Sequence, residues 1–122
     1  MDNRNEEELR ASFLNQPLMP YIGARLSTIS PGRASIEVIY QKNITQQHGL
    51  FHGGVSGAIA DNAAGFAAMT LMDKEKEPLT IEFKINFLNI ADGGKASCGS
   101  GNSPSRSKYL SWRVESIYDK KK

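Results

Sequence analysis

From Gly53 to Met69 the chain reads Gly-Gly-Val-Ser-Gly-Ala-Ile-Ala-Asp-Asn-Ala-Ala-Gly-Phe-Ala-Ala-Met, and no other stretch constrains the fold so strongly. Nearly every face of such a helix is apolar or tiny, the pattern of a helix buried all round. The spacing predicts a helix from Gly54 to about Leu71. A chain of 122 residues is one domain, and it can build a modest core. The small side chains of Gly57, Ala58, Ala60, Ala63, Ala64, Ala67 and Ala68 let a neighbouring layer approach closely. A single carboxylate, Asp61, sits in the middle. Desolvating a charge is costly, so a carboxylate in this setting calls for a partner or a chemical role.

The flanks supply the covering layers. Leu9, Phe13 and Leu14 fall at helical spacing between Glu6 and Asn15, and Gln16-Pro17 ends that short helix. Tyr21 to Ile29 reads as a strand. Ser30-Pro31-Gly32 reads as a turn, and Ala34, Ile36, Val38 and Tyr40 then alternate with Ser35, Glu37 and Ile39 as the second arm of a hairpin. Lys42 to Phe51 is a polar loop, and Asp73 to Pro78 is a charged connection. From Thr80 to Leu88, Ile81, Phe83, Ile85 and Phe87 alternate with polar residues, and Asp92-Gly93-Gly94 marks a turn. Lys95 to Ser107 is a poor strand by propensity, with a Ser/Gly tract, almost no β-branched residue and Pro104. Tyr109, Leu110, Trp112, Val114, Ile117 and Tyr118 mark a last strand. Strands, one apolar helix and more strands make an α+β fold.

Charge and composition narrow the function. Fifteen basic against 13 acidic residues give a net charge of +2, too little to draw in nucleic acid, and Lys120-Lys121-Lys122 reads as a solvated tail. The single cysteine, Cys98, excludes an internal disulfide and fits a reducing compartment. The charged start from Met1 to Arg10 has no apolar core of a signal peptide, and no apolar run reaches the length of a membrane span. A cytoplasmic protein with no membrane partner is the expectation.

The chemistry centres on His52-Gly53-Gly54 and Asp61. Alone, a glycine pair before a helix specifies no more than a tight turn. Glycines that leave backbone N–H groups uncovered at the positive end of a helix also make a pocket for an oxyanion, such as that of an attacked thioester carbonyl. Asp61 lies seven residues after Gly54, on nearly the same helix face but about 10 Å further along the axis. One carbonyl carbon cannot touch both groups of one helix. If both act on one thioester, the carboxylate comes from a second copy, which predicts a homodimer with two antiparallel helices and sites between subunits.

Three segments carry a resemblance. They are Gln46-Gln47-His48-Gly49-Leu50-Phe51-His52-Gly53-Gly54, then Asp61 nine positions after His52, then Leu79-Thr80-Ile81-Glu82-Phe83-Lys84-Ile85-Asn86-Phe87. Together they resemble the active-site signature of the PaaI-like branch of the hotdog-fold acyl-CoA thioesterases. The match covers about residues 20–90 and becomes poor after Gly94. It implies an antiparallel sheet wrapped around one long helix, and hydrolysis of an acyl-CoA thioester to free acid and CoA. It implies Asp61 as general base or nucleophile, a backbone oxyanion hole at Gly53, alone or with Gly54, and the same shared-site homodimer, closed as a dimer or a tetramer. It places Gln46 where an amide orients water or thioester, and Thr80 where a hydroxyl steadies the carboxylate. His52 stabilises the turn. Arg106, Ser107 and Lys108 stand near a step that meets CoA phosphates in relatives, although Ser105 replaces the usual glycine.

The resemblance implies no cofactor, since CoA belongs to the substrate, and no metal, a His48, His52 and Asp61 set lacking local zinc spacing. Relatives continue into one further strand beyond the position of Lys122, so an irregular or truncated C-terminal region is expected, with CoA binding the function most exposed to it. Two other readings stand beside hydrolysis: an inactive hotdog module that binds acyl-CoA or only dimerises, and a dehydratase recruiting His52 against a carboxylate across the dimer.

Overall fold

In the computed structural model the described residues are 3–80, 82, 95–103 and 111–119. The first helix, α1, spans Glu6–Leu14. The Asn5 side chain caps it by accepting the Glu8 N–H at 2.8 Å, and Glu6, Glu7 and Glu8 lie at its positive end. Leu9 and Phe13 are buried, and Phe13 meets Phe66 edge-on with ring centroids 5.6 Å apart.

The strand expected from Tyr21 begins later. Leu18–Tyr21 is a short helical turn, α2. Pro17 at its cap and Pro20 in its first turn both favour helical φ where no N–H is required. Gly23, at φ +75°, then redirects the chain into β1, Ala24–Ser30. The predicted hairpin is present: β1 pairs antiparallel with β2, Arg33–Ile39, and Ser30 faces Arg33 across Pro31-Gly32. Gly32 adopts φ +75°, which suits glycine behind a proline in this turn. The Gly32 N–H donates to Thr70 Oγ1 at 2.7 Å, which ties the turn to the end of the long helix. Ala34, Ile36 and Val38 are buried, as their alternation predicts.

The long helix, α3, spans Gly53–Met69. It packs against β2 and against two strands beyond it, β3 (Lys95–Ser103) and β4 (Ser111–Asp119), in a four-stranded sheet ordered β1-β2-β3-β4. Here the propensity argument fails. The Ser/Gly tract is a nine-residue strand, paired antiparallel with β2 from Ala34↔Ser100 to Ile39↔Lys95 and in unbroken register with β4 from Lys95↔Asp119 to Ser103↔Ser111. A strand bonded on both edges takes its conformation from its neighbours, and tertiary context overrides a weak intrinsic preference. The irregularity expected of the C-terminal region is therefore absent from 95–103. The strand predicted at Thr80–Leu88 falls almost wholly outside the described residues.

Burial around α3 is less complete than its composition predicts. Ser56, Gly57, Ile59, Ala60, Ala63, Phe66, Ala67, Ala68 and Met69 are buried. Ala58, Asp61, Asn62 and Gly65 are only half-buried, and their i, i+3, i+4, i+7 spacing makes one continuous face. Among the described residues no helix is long and apolar enough to cross a membrane.

Candidate active site

The loop before α3 is held by its own hydrogen bonds. A 3-10 turn at Lys42–Ile44 leads to a Thr45↔Phe51 bridge, and the His52 N–H donates to Ile44 O at 3.0 Å. Gly49, at φ +78°, closes the tight turn between them. Tyr40 packs edge-on against Phe51 and donates its hydroxyl to Gly49 O at 2.8 Å. Gln46 sits inside this loop. Its side-chain Oε1 accepts the N–H of His48 at 2.5 Å and that of Leu50 at 3.3 Å, and its own N–H donates to Leu50 O at 2.8 Å. The Gln46 carbonyl end is thus committed to the loop, and its amide nitrogen remains for other partners.

The loop delivers His52 as the N-cap of α3, in extended conformation, with Nδ1 accepting the Gly54 N–H at 2.8 Å. That hydrogen bond assigns the proton of the neutral ring to Nε2. A Cβ at position 54 would lie 3.0 Å from His52 Nδ1 and 3.2 Å from Cε1, so glycine there makes room for the cap. The cap separates the two glycines chemically. Gly54 has given its N–H to His52, whereas the Gly53 N–H has no acceptor among the described residues. The uncommitted donor at the positive end of α3 is therefore Gly53.

Asp61 is half-buried, two turns along the same helix. Thr80 Oγ1 donates to Asp61 Oδ1 at 2.6 Å, the short distance of a charge-assisted bond to a carboxylate. Asp61 Oδ2 accepts no hydrogen bond from the described residues, and the carboxylate lines an open cavity of about 240 Å³. Its walls come from α1 through Ser12, from Gln16 just beyond α1, from α3 through Asn62, Gly65 and Phe66, and from the 77–80 segment. Arg4 holds that segment, donating to Lys76 O at 2.7 Å and to Glu77 Oε1 at 2.8 Å.

The structure thus joins Asp61 to Thr80 and His52 to Gly54, and it keeps the two pairs apart on one helix. Arg106, Ser107 and Lys108 lie outside the described residues. No three or more His, Cys, Asp or Glu side chains among the described residues stand together to hold a metal ion. Asn62, which the sequence offers as a partner for Asp61, bonds instead to Gln16, which sequence reasoning did not single out, and both border the carboxylate. Gln16 Nε2 donates to Asn62 Oδ1 at 3.1 Å, and Asn62 Nδ2 donates to Gln16 Oε1 at 2.8 Å. The adjacency of Asn62 to Asp61 was the one available signal, since Gln16 is 46 positions away.

Comparison with known proteins agrees with this geometry. The sequence profile of the thioesterase superfamily matches residues 48–100, from the glycine loop through α3 into β3. A crystal structure of a thioesterase family protein from Silicibacter pomeroyi is 42% identical; the alignment covers 80% of this chain and 73% of that one, with a TM-score of 0.76. A candidate esterase of Saccharolobus solfataricus is 32% identical over 71 residues, 58% of this chain and 50% of that protein. The 1,4-dihydroxy-2-naphthoyl-CoA hydrolase of Listeria monocytogenes is 26% identical over 77 residues, 63% of each chain. The chain spans about half the length of the first of these curated relatives and of two other esterase-like proteins it matches. Solved PaaI proteins of Thermus thermophilus and E. coli, at 20% and 17% identity, share the fold with TM-scores of 0.76 and 0.81. A sheet packed on one long central helix, a capped glycine turn opening that helix and 42% identity to a solved thioesterase family protein make this chain a hotdog-fold member of the thioesterase superfamily.

Proposed function

We propose that the protein hydrolyses acyl-CoA thioesters at a site shared between two copies of the chain. The observation that carries this is the Asp61 carboxylate at the wall of a cavity, with one oxygen fixed by Thr80 and the other without a hydrogen bond from the described residues. Asp61 acts on the thioester carbonyl in one of two ways. As general base it takes a proton from water while that water's oxygen attacks the carbonyl carbon. As nucleophile it forms a mixed anhydride that water then cleaves. In both cases the C–S bond breaks, the sulfur leaves as thiolate and takes up a proton, and the products are a carboxylic acid and CoA.

The developing oxyanion is stabilised by the Gly53 N–H of the partner subunit, where an aligned donor is worth about 3–4 kcal/mol. The helix rise of 1.5 Å per residue keeps Gly53 and Asp61 of one chain about 12 Å apart, which supports the intersubunit arrangement. Half-buried Ala58, between the glycine turn and Asp61, lies on the side of α3 that such a partner covers. Thr80 holds the carboxylate, Gln46 offers its amide nitrogen to water or thioester, His52 preserves the glycine turn, and Arg106 and Lys108 meet CoA phosphates. No cofactor takes part. The CoA hydrolase among the relatives supports a CoA thioester as substrate.

The test is release of free CoA thiol from a panel of acyl-CoAs by the wild type and by Asp61→Ala. Hydrolysis by the wild type and its loss in the variant are expected. Equal, measurable rates would reject Asp61 as the catalytic group, and no release by either protein would leave a binding or dimerisation module in place of an enzyme.

A further inference from the structure

The cavity beside Asp61 is also lined by Gly65, Gln16 and Asn62, which the hydrolytic chemistry does not use. Gly65 lies four residues after Asp61, one turn further along α3, on the cavity wall. A Cβ added there would meet nothing within 4 Å. A mid-helix glycine weakens a helix relative to alanine, and neither a positive φ nor a close neighbour requires one at this position. What glycine provides at 65 is empty space directly beyond the carboxylate. Just beyond the C-terminus of α1, Gln16 lines the same cavity and joins Asn62 in a reciprocal pair of amide hydrogen bonds of 3.1 and 2.8 Å. Gln16 Nε2 also reaches the Phe13 carbonyl at 3.4 Å, and Phe13 is itself anchored on Phe66. The amide pair is thus fixed to both helices and spans the seam between them.

Resting on the hydrolytic reading above, we propose that Gly65 and the Gln16–Asn62 pair are the acyl-specificity determinants of this chain. Gly65 supplies the depth of the acyl pocket, and the amide pair is the stop at its end. A volume of about 240 Å³ falls below the roughly 300–1,000 Å³ of clefts for drug-sized ligands, so the cavity takes the acyl group and not the CoA moiety. About 150 Å³ suffices for benzene, which leaves room here for a six-carbon ring or short chain and a few further atoms. Longer chains run into the Gln16–Asn62 pair, whose amide bonds an alkyl end cannot replace.

The two elements act in opposite directions, and that opposition is the test. The ratio of kcat/KM for decanoyl-CoA to that for hexanoyl-CoA is measured by thiol release for the wild type, Gly65→Ala, Gly65→Leu, Gln16→Ala and Asn62→Ala. One methylene's worth of pocket discriminates about tenfold or more. The wild type prefers hexanoyl-CoA. Gln16→Ala and Asn62→Ala raise the decanoyl to hexanoyl ratio about tenfold, by removing the stop. Gly65→Leu lowers the ratio of hexanoyl- to acetyl-CoA hydrolysis about tenfold, by filling the pocket. Gly65→Ala shifts that ratio in the same direction and raises the thermal midpoint, so a folding failure of the leucine variant does not obscure the result. Activity with both ratios unchanged in all four variants overturns this assignment and leaves the hydrolytic reading intact. A wild type that releases thiol from no acyl-CoA rejects both.

Discussion

At the scale of single residues, the site depends on which polar atoms are already committed. Thr80 fixes one oxygen of Asp61, and a hydrogen bond to a charged group contributes about 1.5–3 kcal/mol. Thr80→Val is therefore expected to lower kcat by roughly 10- to 100-fold with little change in KM, in steady-state thiol release. A rise in KM alone would assign Thr80 to substrate docking. Gln46→Glu tests the amide nitrogen separately from the loop. It retains the oxygen that accepts the His48 and Leu50 N–H groups, so the thermal midpoint should hold while turnover falls. The core of this site was legible in the sequence because it is local: His52, the glycine pair and Asp61 occupy ten consecutive positions. What spacing could not reveal was the division of labour between the glycines. It depends on the direction of the His52 ring, and that ring takes the Gly54 N–H and leaves Gly53 free. The Gln16–Asn62 contact was illegible for a different reason, since chain topology alone brings two residues 46 positions apart together.

At the scale of elements, the periodic segments were readable and the aperiodic ones were not. The alternation of Ala34, Ile36 and Val38 and the Pro31-Gly32 turn gave the hairpin directly. Gly32→Ala is expected to lower stability by about 1 kcal/mol in urea unfolding, because φ +75° is unfavourable for any side chain with a Cβ. β3 was missed because side-chain propensity says little about a strand whose backbone is paired on both edges. α2 was missed because Pro17 was read only as the end of α1, although proline is at home at the start of a helix. α1 lines the carboxylate's cavity and is anchored through Phe13, which is 1% exposed. Phe13→Ala should cost about 3–5 kcal/mol, read as a shift of the urea midpoint, and should open the cavity as α1 loosens.

At the scale of the whole molecule, one helix cannot complete the chemistry. Its amide donor and its carboxylate are two turns apart, with half-buried Ala58 between them, so the proposed hydrolysis needs two chains per site. Complementation tests this directly. Gly53→Pro removes the amide hydrogen while placing proline at the first helical position, where it is well tolerated, behind a His52 already extended at ψ 130°. Asp61→Asn removes the base and keeps the shape. Each variant alone should be inactive. Unfolded together and refolded at equal concentration, half of the resulting dimers pair one variant with the other, and each such dimer holds one intact composite site, so about a quarter of wild-type activity should return. A mixture as inactive as its components, in a sample shown by light scattering to be dimeric, would contradict a site shared across subunits.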